Sequence, residues 1–441
     1  MTALPYSHGA ALPPSRSEGR WPRICERRDH PGTTRVALLC YHTSPLAALG
    51  KSRDAGGMNV YVRELAIALG RRGVVVDIFT RWTDPSLPQI ISLGVNARII
   101  HIPAGPIAPV HKNDLFPYLA QFVAGIECFA ISEHIDYTII HSHYWLSGVA
   151  GMDLKRRWGA PHIVMFHTLA RLKQQARPEE QETALRIDYE RRIIHAADSI
   201  VVATEDEREQ INRLYGAPRQ MMHTIPCGVD LGTFTPIGRA EAQAEIRTTL
   251  HLDAAPILLF VGRLDPLKGP DLLIRTLGQM RQQATLLLVG GDDRDPERSR
   301  LLALAEELGV AERVRMVDAV PHEQLTTFYR AADLLTIASH YESFGLVAVE
   351  ALATGTPVIA PAVGGLPVIV HDHVNGALLP ERTAQSFAAR IDAILGDPAE
   401  SARLHAQARP SVRHFGWHTI SGQIISLYDD LTENALARTA D

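Results

Sequence analysis

The apolar run Pro256-Ile257-Leu258-Leu259-Phe260-Val261 leads directly into the polar loop Gly262-Arg263-Leu264-Asp265-Pro266-Leu267-Lys268-Gly269-Pro270. A short, continuous apolar run is typical of a strand buried on both faces, and Pro270 is suited to the first turn of a helix. The first half of the chain opens in the same order, with an apolar run at 36–40, a glycine-containing loop and a helical pattern at 60–69. This order predicts parallel strands connected by helices.

The alternation of apolar runs and helical patterns occurs twice along the chain. Further predicted strands lie at 74–79, 138–140, 162–166 and 199–202, and then at 284–289, 314–317, 334–338 and 357–360. The fold class is therefore α/β, with two Rossmann-like, doubly wound parallel-sheet domains, 34–232 and 233–414, that face a central cleft. A polar stretch at 234–247 is the predicted linker. Residues 1–33 are expected to form a flexible tail, and 415–441 a final helix that returns to the first domain.

The composition excludes several classes of protein. The 441 residues are 46% hydrophobic and 21% charged, and 44 Lys and Arg against 49 Asp and Glu give a net charge of −5. A mildly acidic chain has no overall attraction for nucleic acid, and no apolar run is long enough to span a membrane. Four scattered cysteines form neither a disulfide framework nor a zinc motif, so a cytoplasmic location is expected.

Two loops of the second half carry charges suited to a nucleotide-sugar. Arg263 and Lys268 follow a predicted strand and match a diphosphate, although solvated surface cations would give the same pattern. Glu342 and Glu350 are eight residues apart, and Glu350 lies in an apolar helical run where a carboxylate needs a ligand or a structural partner. No phosphate-binding G-x-x-x-x-G-K-[ST] loop and no G-x-G-x-x-G turn are present, which argues against a nicotinamide or flavin enzyme.

In the first half, the loop Gly56-Gly57-Met58-Asn59 opens a helix and lets backbone N–H groups approach an anion, although many such loops are only tight turns. Ser142-His143-Tyr144 and His167-Thr168 follow neighbouring predicted strands, so they place imidazoles and hydroxyls at the same edge. His141 and His143 lie on one predicted strand, and we expect them to form a poor metal pair. We therefore predict no metal site.

Taken together, these motifs resemble the retaining glycosyltransferases of family 4, which have the GT-B fold. The most specific element is Glu342-Ser-Phe-Gly-Leu-Val-Ala-Val-Glu350, and the resemblance extends from about residue 34 to the C-terminus. Within the family, the chain is most similar to the inositol-phosphate glycosyltransferases of mycothiol synthesis and to the sucrose-phosphate synthases. The run His42-Thr43-Ser44-Pro45 favours the inositol-phosphate branch.

The resemblance implies a metal-independent donor site without a cofactor. In it, Arg263 and Lys268 hold the diphosphate, Glu342 binds the sugar hydroxyls, Glu350 binds the ribose and His167 contacts the transferred sugar. The implied catalytic residues are His167, Arg263, Lys268 and Glu342. Further donor contacts are implied for Gly57 and for the backbone of Phe344, Gly345 and Leu346.

The resemblance also implies an acceptor site in the first domain, formed by His42, Asn59, Lys112, Tyr144, Thr168 and Arg186. Lys173 is an alternative or an addition to Arg186. The implied reaction moves a hexosyl unit from UDP-GlcNAc or UDP-glucose to D-inositol 3-phosphate with retention. Alternatives left open are transfer to fructose 6-phosphate, transfer to a lipid or polysaccharide acceptor, and a UDP-sugar epimerase. A homodimer is also left open.

Overall fold

The protein forms two mainly parallel sheets, one from each half of the chain. The structure, a computed structural model, describes residues 33–47, 56–176 and 182–440. Apart from residue 33, the predicted tail lies outside these residues. The first sheet contains β1 (Arg35–Leu39), β2 (Val75–Arg81), β3 (Ile90–Gly94), β4 (Ala97–Ile102), β5 (Ile139–His143), β6 (His162–Met165), β7 (Ser199–Val202) and β8 (Met222–Thr224). The second contains β9 (Ile257–Val261), β10 (Thr285–Val289), β11 (Val314–Val317), β12 (Leu334–Thr336), β13 (Val358–Pro361) and β14 (Gly376–Leu379).

Helices connect most of these strands and cover the sheets. Those that follow the strands of the first sheet are α1 (Gly57–Arg71), α2 (Leu119–Ser132), α3 (Trp145–Trp158), α4 (Ala170–Ala176), α5 (Ala184–Ala196) and α6 (Glu205–Tyr215). The rest are α7 (Arg239–Thr249), α8 (Pro270–Leu277), α9 (Pro296–Glu307), α10 (Leu325–Ala331), α11 (Leu346–Ala353), α12 (Leu366–Ile369), α13 (Ala384–Gly396), α14 (Pro398–Val412) and α15 (Trp417–Ala440). Within the described ranges, no helix combines the length and the apolar character needed to cross a membrane.

The order of the strands explains where a ligand site arises. The first sheet has the order β3-β4-β2-β1-β5-β6-β7-β8 and the second β11-β10-β9-β12-β13-β14. In the first sheet the chain passes from β1 to the strands on one side of it, β2 to β4, and then to those on the other side, β5 to β8. The second sheet repeats this order from β9, with β10 and β11 on one side and β12 to β14 on the other. The crossovers that leave β1 and β5, or β9 and β12, therefore diverge and open a crevice at the carboxyl ends of the strands. The predicted doubly wound α/β architecture is confirmed.

The sequence missed β3, β4, β8 and β14, and β4 shows one reason. This strand is fully buried although it contains Arg98 and His101. The Arg98 guanidinium donates to both carboxylate oxygens of Asp77 on β2, at 2.8 and 3.1 Å, and Tyr137 donates to the same carboxylate at 2.7 Å. Because these charges neutralise each other across the sheet, a strand that looks polar in the sequence lies in the interior. β3 pairs with β4 in the antiparallel direction and forms an edge of the sheet.

The predicted linker at 234–247 is wrong in its second part, which belongs to helix α7. Ala242 and Ile246 are buried on this helix, which packs against α10. Arg239 at its start donates to the carbonyl oxygen of Arg330 at 3.1 Å. The polar residues that indicated a linker therefore form the outer face of an amphipathic helix.

The last helix, α15, packs against α1 of the first domain. Ile420, Ile424 and Tyr428 on this helix are buried. The Tyr428 hydroxyl lies 2.8 Å from Nδ1 of His141 on β5. Just before α15, Val229 and Gly416 form a β-bridge, so the two segments that join the domains run side by side. The C-terminal segment thus covers the first sheet after the second sheet is complete.

Candidate active site

A cleft of about 900 Å³ separates the carboxyl ends of the two sheets. Its walls are the loops that follow β1, β5 and β6 in the first domain and β9, β10 and β12 in the second. The predicted site residues that line it are His42, Gly57, Lys112, Tyr144, His167, Thr168, Arg186, Arg263, Lys268, Glu342, Phe344, Gly345, Leu346 and Glu350. Residues as far apart in the sequence as His42 and Glu350, which are 308 positions apart, therefore share one cavity.

Both cations of the second-domain wall have a carboxylate partner and remain partly exposed. Lys268 Nζ lies 2.6 Å from Glu342 Oε2, and Arg263 Nη2 lies 3.0 Å from Asp265 Oδ2. Helix α11 begins only at Leu346, so Glu342 lies in the loop before it. Glu342 and Glu350 therefore both line the cleft because of the path of this loop and not because of helical spacing.

The N-terminus of α11 faces the cleft, because Phe344, Gly345 and Leu346 all line it. Gly345 has φ = 112°, a left-handed conformation that residues with a Cβ adopt only with strain. The first turn of a helix carries backbone N–H groups without intrahelical partners, and the helix dipole adds a partial positive charge there. This end of the helix can therefore bind an anion such as a diphosphate.

Glu350 lies on α11 with only 4% of its surface exposed, and it has two partners that the sequence analysis missed. Its Oε1 is 2.6 Å from Nε2 of His322, and its Oε2 accepts a hydrogen bond from the Tyr329 hydroxyl at 2.8 Å. Burial alone would lower the pKa of His322, but the Glu350 carboxylate outweighs burial and the pKa is raised. Glu350 thus has structural partners, a possibility that the sequence left open, and its carboxylate also lines the cleft.

In the first domain, Arg186 lies at the centre of a group of polar residues. Its Nη2 is 2.9 Å from the carbonyl oxygen of Thr168 and 3.3 Å from Oγ1 of the same residue, and its guanidinium lies over the Tyr144 ring at 5.0 Å. Arg186 also pairs with Glu190 at 2.7 Å and with Glu182 at 3.0 Å. Burial opposes its charge, but Tyr144 and these two carboxylates raise the pKa of Arg186, which keeps it cationic.

Lys173 belongs to the same group as Arg186. Its Nζ is 2.7 Å from Glu182 Oε1, while the other oxygen of Glu182 contacts Arg186. Lys173 and Arg186 thus share one carboxylate, and both line the cleft. Lys112 lines the same cleft from the short helical turn Lys112–Asp114.

Asn59 is the predicted site residue that does not line the cleft. Its Nδ2 donates to Thr43 Oγ1 at 2.8 Å and to the Ser44 carbonyl oxygen at 2.6 Å, and its Oδ1 accepts from the Gly56 N–H at 3.1 Å. These bonds connect the loop after β1 to the start of α1. In this structure Asn59 therefore shapes the wall of the site without facing into it.

His167 has φ = 60° and faces the cleft beside a buried histidine. Its Nε2 is 2.9 Å from Nδ1 of His143, which lies at the end of β5. Burial, followed by the charges of His141 and His42, lowers the pKa of His167 to about 3. The imidazole is therefore neutral at physiological pH and can exchange hydrogen bonds with a sugar.

Two family models match the chain, one in each domain. The model described as Glycosyltransferase Family 4 matches residues 55–233, and the model described as Glycosyl transferases group 1 matches residues 242–410. Two doubly wound domains around one cleft, together with these matches, define a glycosyltransferase of the GT-B class.

Individual relatives agree with this class. The chain is 43% identical over 420 residues to a D-inositol 3-phosphate glycosyltransferase of Xylanimonas cellulosilytica, over 92% of this chain and 100% of that protein. It is 40% identical to a protein of the same name from Kineococcus radiotolerans, over 92% and 98% of the two chains. The sucrose-phosphate synthase of Thermosynechococcus elongatus superposes with a TM-score of 0.84 at 37% identity, over 91% of this chain and 100% of that one. The chain belongs to glycosyltransferase family 4, as the motifs predicted.

Three histidines on or directly after β5 and β6 generate a prediction about stability. Burial is the largest of the causes that lower the pKa of His141, His162 and His167 from 6.5 to about 3. In this window each of these histidines is protonated in the unfolded chain and neutral in the folded chain, so its contribution to stability is lost as the pH falls below 6.5. Buried Glu207, whose pKa is raised to about 7, acts in the opposite direction, but it is one group against three. Each histidine contributes up to about 1.4 kcal/mol per pH unit. We expect the thermal unfolding midpoint to fall steadily from about pH 6.5 to about pH 4.5.

Two variants test the cause of this pH dependence. His141→Gln removes one buried titrating group and should flatten the dependence, whereas the exposed His251→Gln should leave it unchanged. Circular dichroism melts across the pH range provide the comparison. An unchanged slope in His141→Gln would show that other groups cause the loss of stability.

Proposed function

We propose that this glycosyltransferase moves a hexosyl unit from a UDP-sugar to a small phosphorylated polyol, with D-inositol 3-phosphate as the acceptor, and retains the anomeric configuration. One observation carries the proposal: Arg186, Thr168 and Tyr144 lie together on the first-domain wall, opposite the charged loops of the second domain. The relatives named D-inositol 3-phosphate glycosyltransferase support this acceptor.

The donor is assigned to the second-domain wall. Arg263, Lys268 and the N-terminus of α11 supply positive charge for the diphosphate, where charge develops as the leaving group departs. Lys268 already contacts Glu342 at 2.6 Å, so the groups for phosphate and for sugar hydroxyls are adjacent. Glu350 is held by His322 and Tyr329 and accepts hydrogen bonds from the nucleotide ribose. The donor thereby extends along the loop from β12 into α11.

The acceptor phosphate is assigned to Lys112, Tyr144, Thr168 and Arg186, with Lys173 beside them. Charge-assisted hydrogen bonds from Arg and Lys are the strongest contacts that a phosphate receives, and hydroxyls complete its shell. Glu182 and Glu190 fix the Arg186 guanidinium by contacts of 3.0 and 2.7 Å. An arginine that is already oriented loses little side-chain freedom when the phosphate binds. A neutral polyol would gain nothing from these charges.

The reaction we propose needs no protein nucleophile. The bond between the sugar anomeric carbon and the diphosphate oxygen breaks, and the acceptor hydroxyl forms its bond to that carbon on the same face. The hydroxyl proton passes to the departing phosphate oxygen, so atoms and charges balance. Neutral His167 contacts the transferred sugar, and the walls of the cleft limit competition from water.

A second candidate acceptor is fructose 6-phosphate. The structural match to a sucrose-phosphate synthase at a TM-score of 0.84 favours it. The two acceptors share a phosphate and differ in their rings, so the same cationic group would hold either one.

The main prediction concerns the reaction itself. The purified protein should convert UDP-GlcNAc or UDP-glucose and D-inositol 3-phosphate into a glycosylated inositol phosphate, detected by mass spectrometry. Nuclear magnetic resonance of the product should show the α-anomeric configuration of the donor. Free inositol should be a much poorer acceptor because it cannot engage Arg186. Preferred transfer to fructose 6-phosphate, or inversion at the anomeric carbon, would contradict the corresponding part of the proposal.

Lys112 allows a test of the phosphate pocket that spares the buried ion pairs. Arg186→Ala would leave the fully buried Glu190 without its counter-ion, whereas Lys112 lies at the rim. Lys112→Met should raise the acceptor KM about tenfold or more through loss of one charge-assisted contact. Its affinity for UDP should not change. Arg156→Met, at an exposed position on α3, is the matched control, and equal effects in both variants would contradict the phosphate assignment.

Metal independence is a further prediction. Arg263, Lys268 and the α11 N-terminus provide positive charge for the diphosphate without a divalent ion. Within the described ranges, no three His, Cys, Asp or Glu side chains form a group suited to a metal. We therefore expect turnover to continue in excess EDTA. Loss of product that returns with added magnesium or manganese would refute the expectation.

A further inference from the structure

Helix α1 of the first domain contacts the second-domain wall at two levels. At its start, a Cβ on Gly57 would lie only 3.0 Å from Cδ1 of Leu346, the first residue of α11. Six residues further along, Nη2 of Arg63 lies 3.4 Å from Nδ1 of His322. Arg63 is thus a first-domain cation that reaches a side chain of the second domain.

His322 contacts a different group with each ring nitrogen. Its Nε2 lies 2.6 Å from Glu350 Oε1, while Nδ1 faces Arg63. The Glu350 carboxylate favours protonation of His322, whereas the Arg63 guanidinium, which can only donate, opposes it. A neutral ring with its hydrogen on Nε2 satisfies both contacts, because Nε2 donates to the carboxylate and Nδ1 accepts from the guanidinium. The partners thereby define the tautomer, and Arg63, His322 and Glu350 form one directed hydrogen-bond chain.

This hydrogen-bond chain, together with the Tyr329 hydroxyl, fixes the orientation of the Glu350 carboxylate. His322 engages Oε1, and the Tyr329 hydroxyl engages Oε2 at 2.8 Å. A carboxylate accepts about four hydrogen bonds, so two protein donors leave capacity for two more. Because Glu350 lines the cleft, that capacity is available to a ligand with vicinal hydroxyls.

We propose that Arg63 and His322 are positioning residues for the donor nucleotide: they hold Glu350 for the ribose and couple nucleotide binding to the contact between the domains. The proposal rests on the ribose role of Glu350 given under the proposed function. Arg63 reaches His322 only when α1 lies at this distance from α11. A bound nucleotide that needs an oriented Glu350 therefore favours this arrangement of the two domains.

UDP binding measured by isothermal titration calorimetry tests the proposal. His322→Ala removes the donor to Glu350 and should weaken UDP binding about tenfold, the effect of a lost hydrogen bond to a charged group. Arg63→Met keeps the aliphatic part of the side chain but loses the hydrogen bond to the neutral His322 ring. It should therefore weaken UDP binding about threefold. Arg71→Met is the matched control, because Arg71 lies on the same helix, exposed and two turns further on, and it should bind as the parent does.

Further measurements separate positioning from general damage to the structure. His322→Gln places an amide N–H near the position of Nε2 and should restore most of the affinity lost in His322→Ala. Adding Arg63→Met to His322→Ala should cause no further loss of UDP affinity, because the two residues act in one hydrogen-bond chain. In turnover, the donor KM should rise with kcat nearly unchanged, the pattern of lost binding that is uniform between substrate and transition state.

The outcomes that overturn the inference are specific. UDP affinity equal to the parent in His322→Ala would remove the role of His322, and equal affinity in Arg63→Met would remove the coupling to the first domain. If His322→Ala does not fold, Arg63→Met at the half-buried position 63 decides the result: weaker UDP binding supports the inference and unchanged binding overturns it. Failure of the parent itself to bind UDP would contradict the proposed function instead, so the two failures are distinguishable.

Discussion

The site depends on one topological constraint: in each sheet there is one pair of neighbouring strands whose following connections leave in opposite directions. A parallel strand can be followed by its neighbour only through a crossover, and crossovers that leave in opposite directions cannot cover the ends of both strands. In this protein the divergence occurs between β1 and β5 and between β9 and β12. The loops after these four strands supply His42, Tyr144, Arg263 and Glu342. The fold thus determines where the chemistry occurs before any particular side chain is chosen.

The charged groups of the cleft are stabilised by paired contacts because an isolated buried charge would be costly. Glu190 is completely buried, and it accepts hydrogen bonds from Arg186, the Tyr215 hydroxyl and the Ala170 N–H. Glu350 is held in a similar way by His322 and Tyr329. These contacts give each charged group a defined orientation before a ligand arrives, which reduces the entropy lost on binding.

The sequence predicted the two doubly wound domains and most strands, because continuous apolar runs separated by helical patterns are a local signal. It failed where a long-range contact overrides that signal. β4 is buried because Arg98 meets Asp77 on another strand, and the polar segment 239–247 is a helix because Ala242 and Ile246 pack on α10. Glu350 was found by its apolar neighbours, but its partner His322 was not. A histidine 28 residues before it in the sequence gives no local sign that it lies 2.6 Å away.

The two walls of the cleft differ in how the sequence encodes them. The residues that we assign to the donor lie in two compact segments, 263–268 and 342–350, each following one strand. The first-domain wall gathers Lys112, Tyr144, Thr168 and Arg186 from four separate elements, and their geometry depends on ion pairs such as that between Arg186 and Glu182. A substitution in any of these elements can therefore change the acceptor while the donor segments stay intact. This separation gives a physical reason why similar proteins of one fold carry the names of two different enzymes, a D-inositol 3-phosphate glycosyltransferase and a sucrose-phosphate synthase.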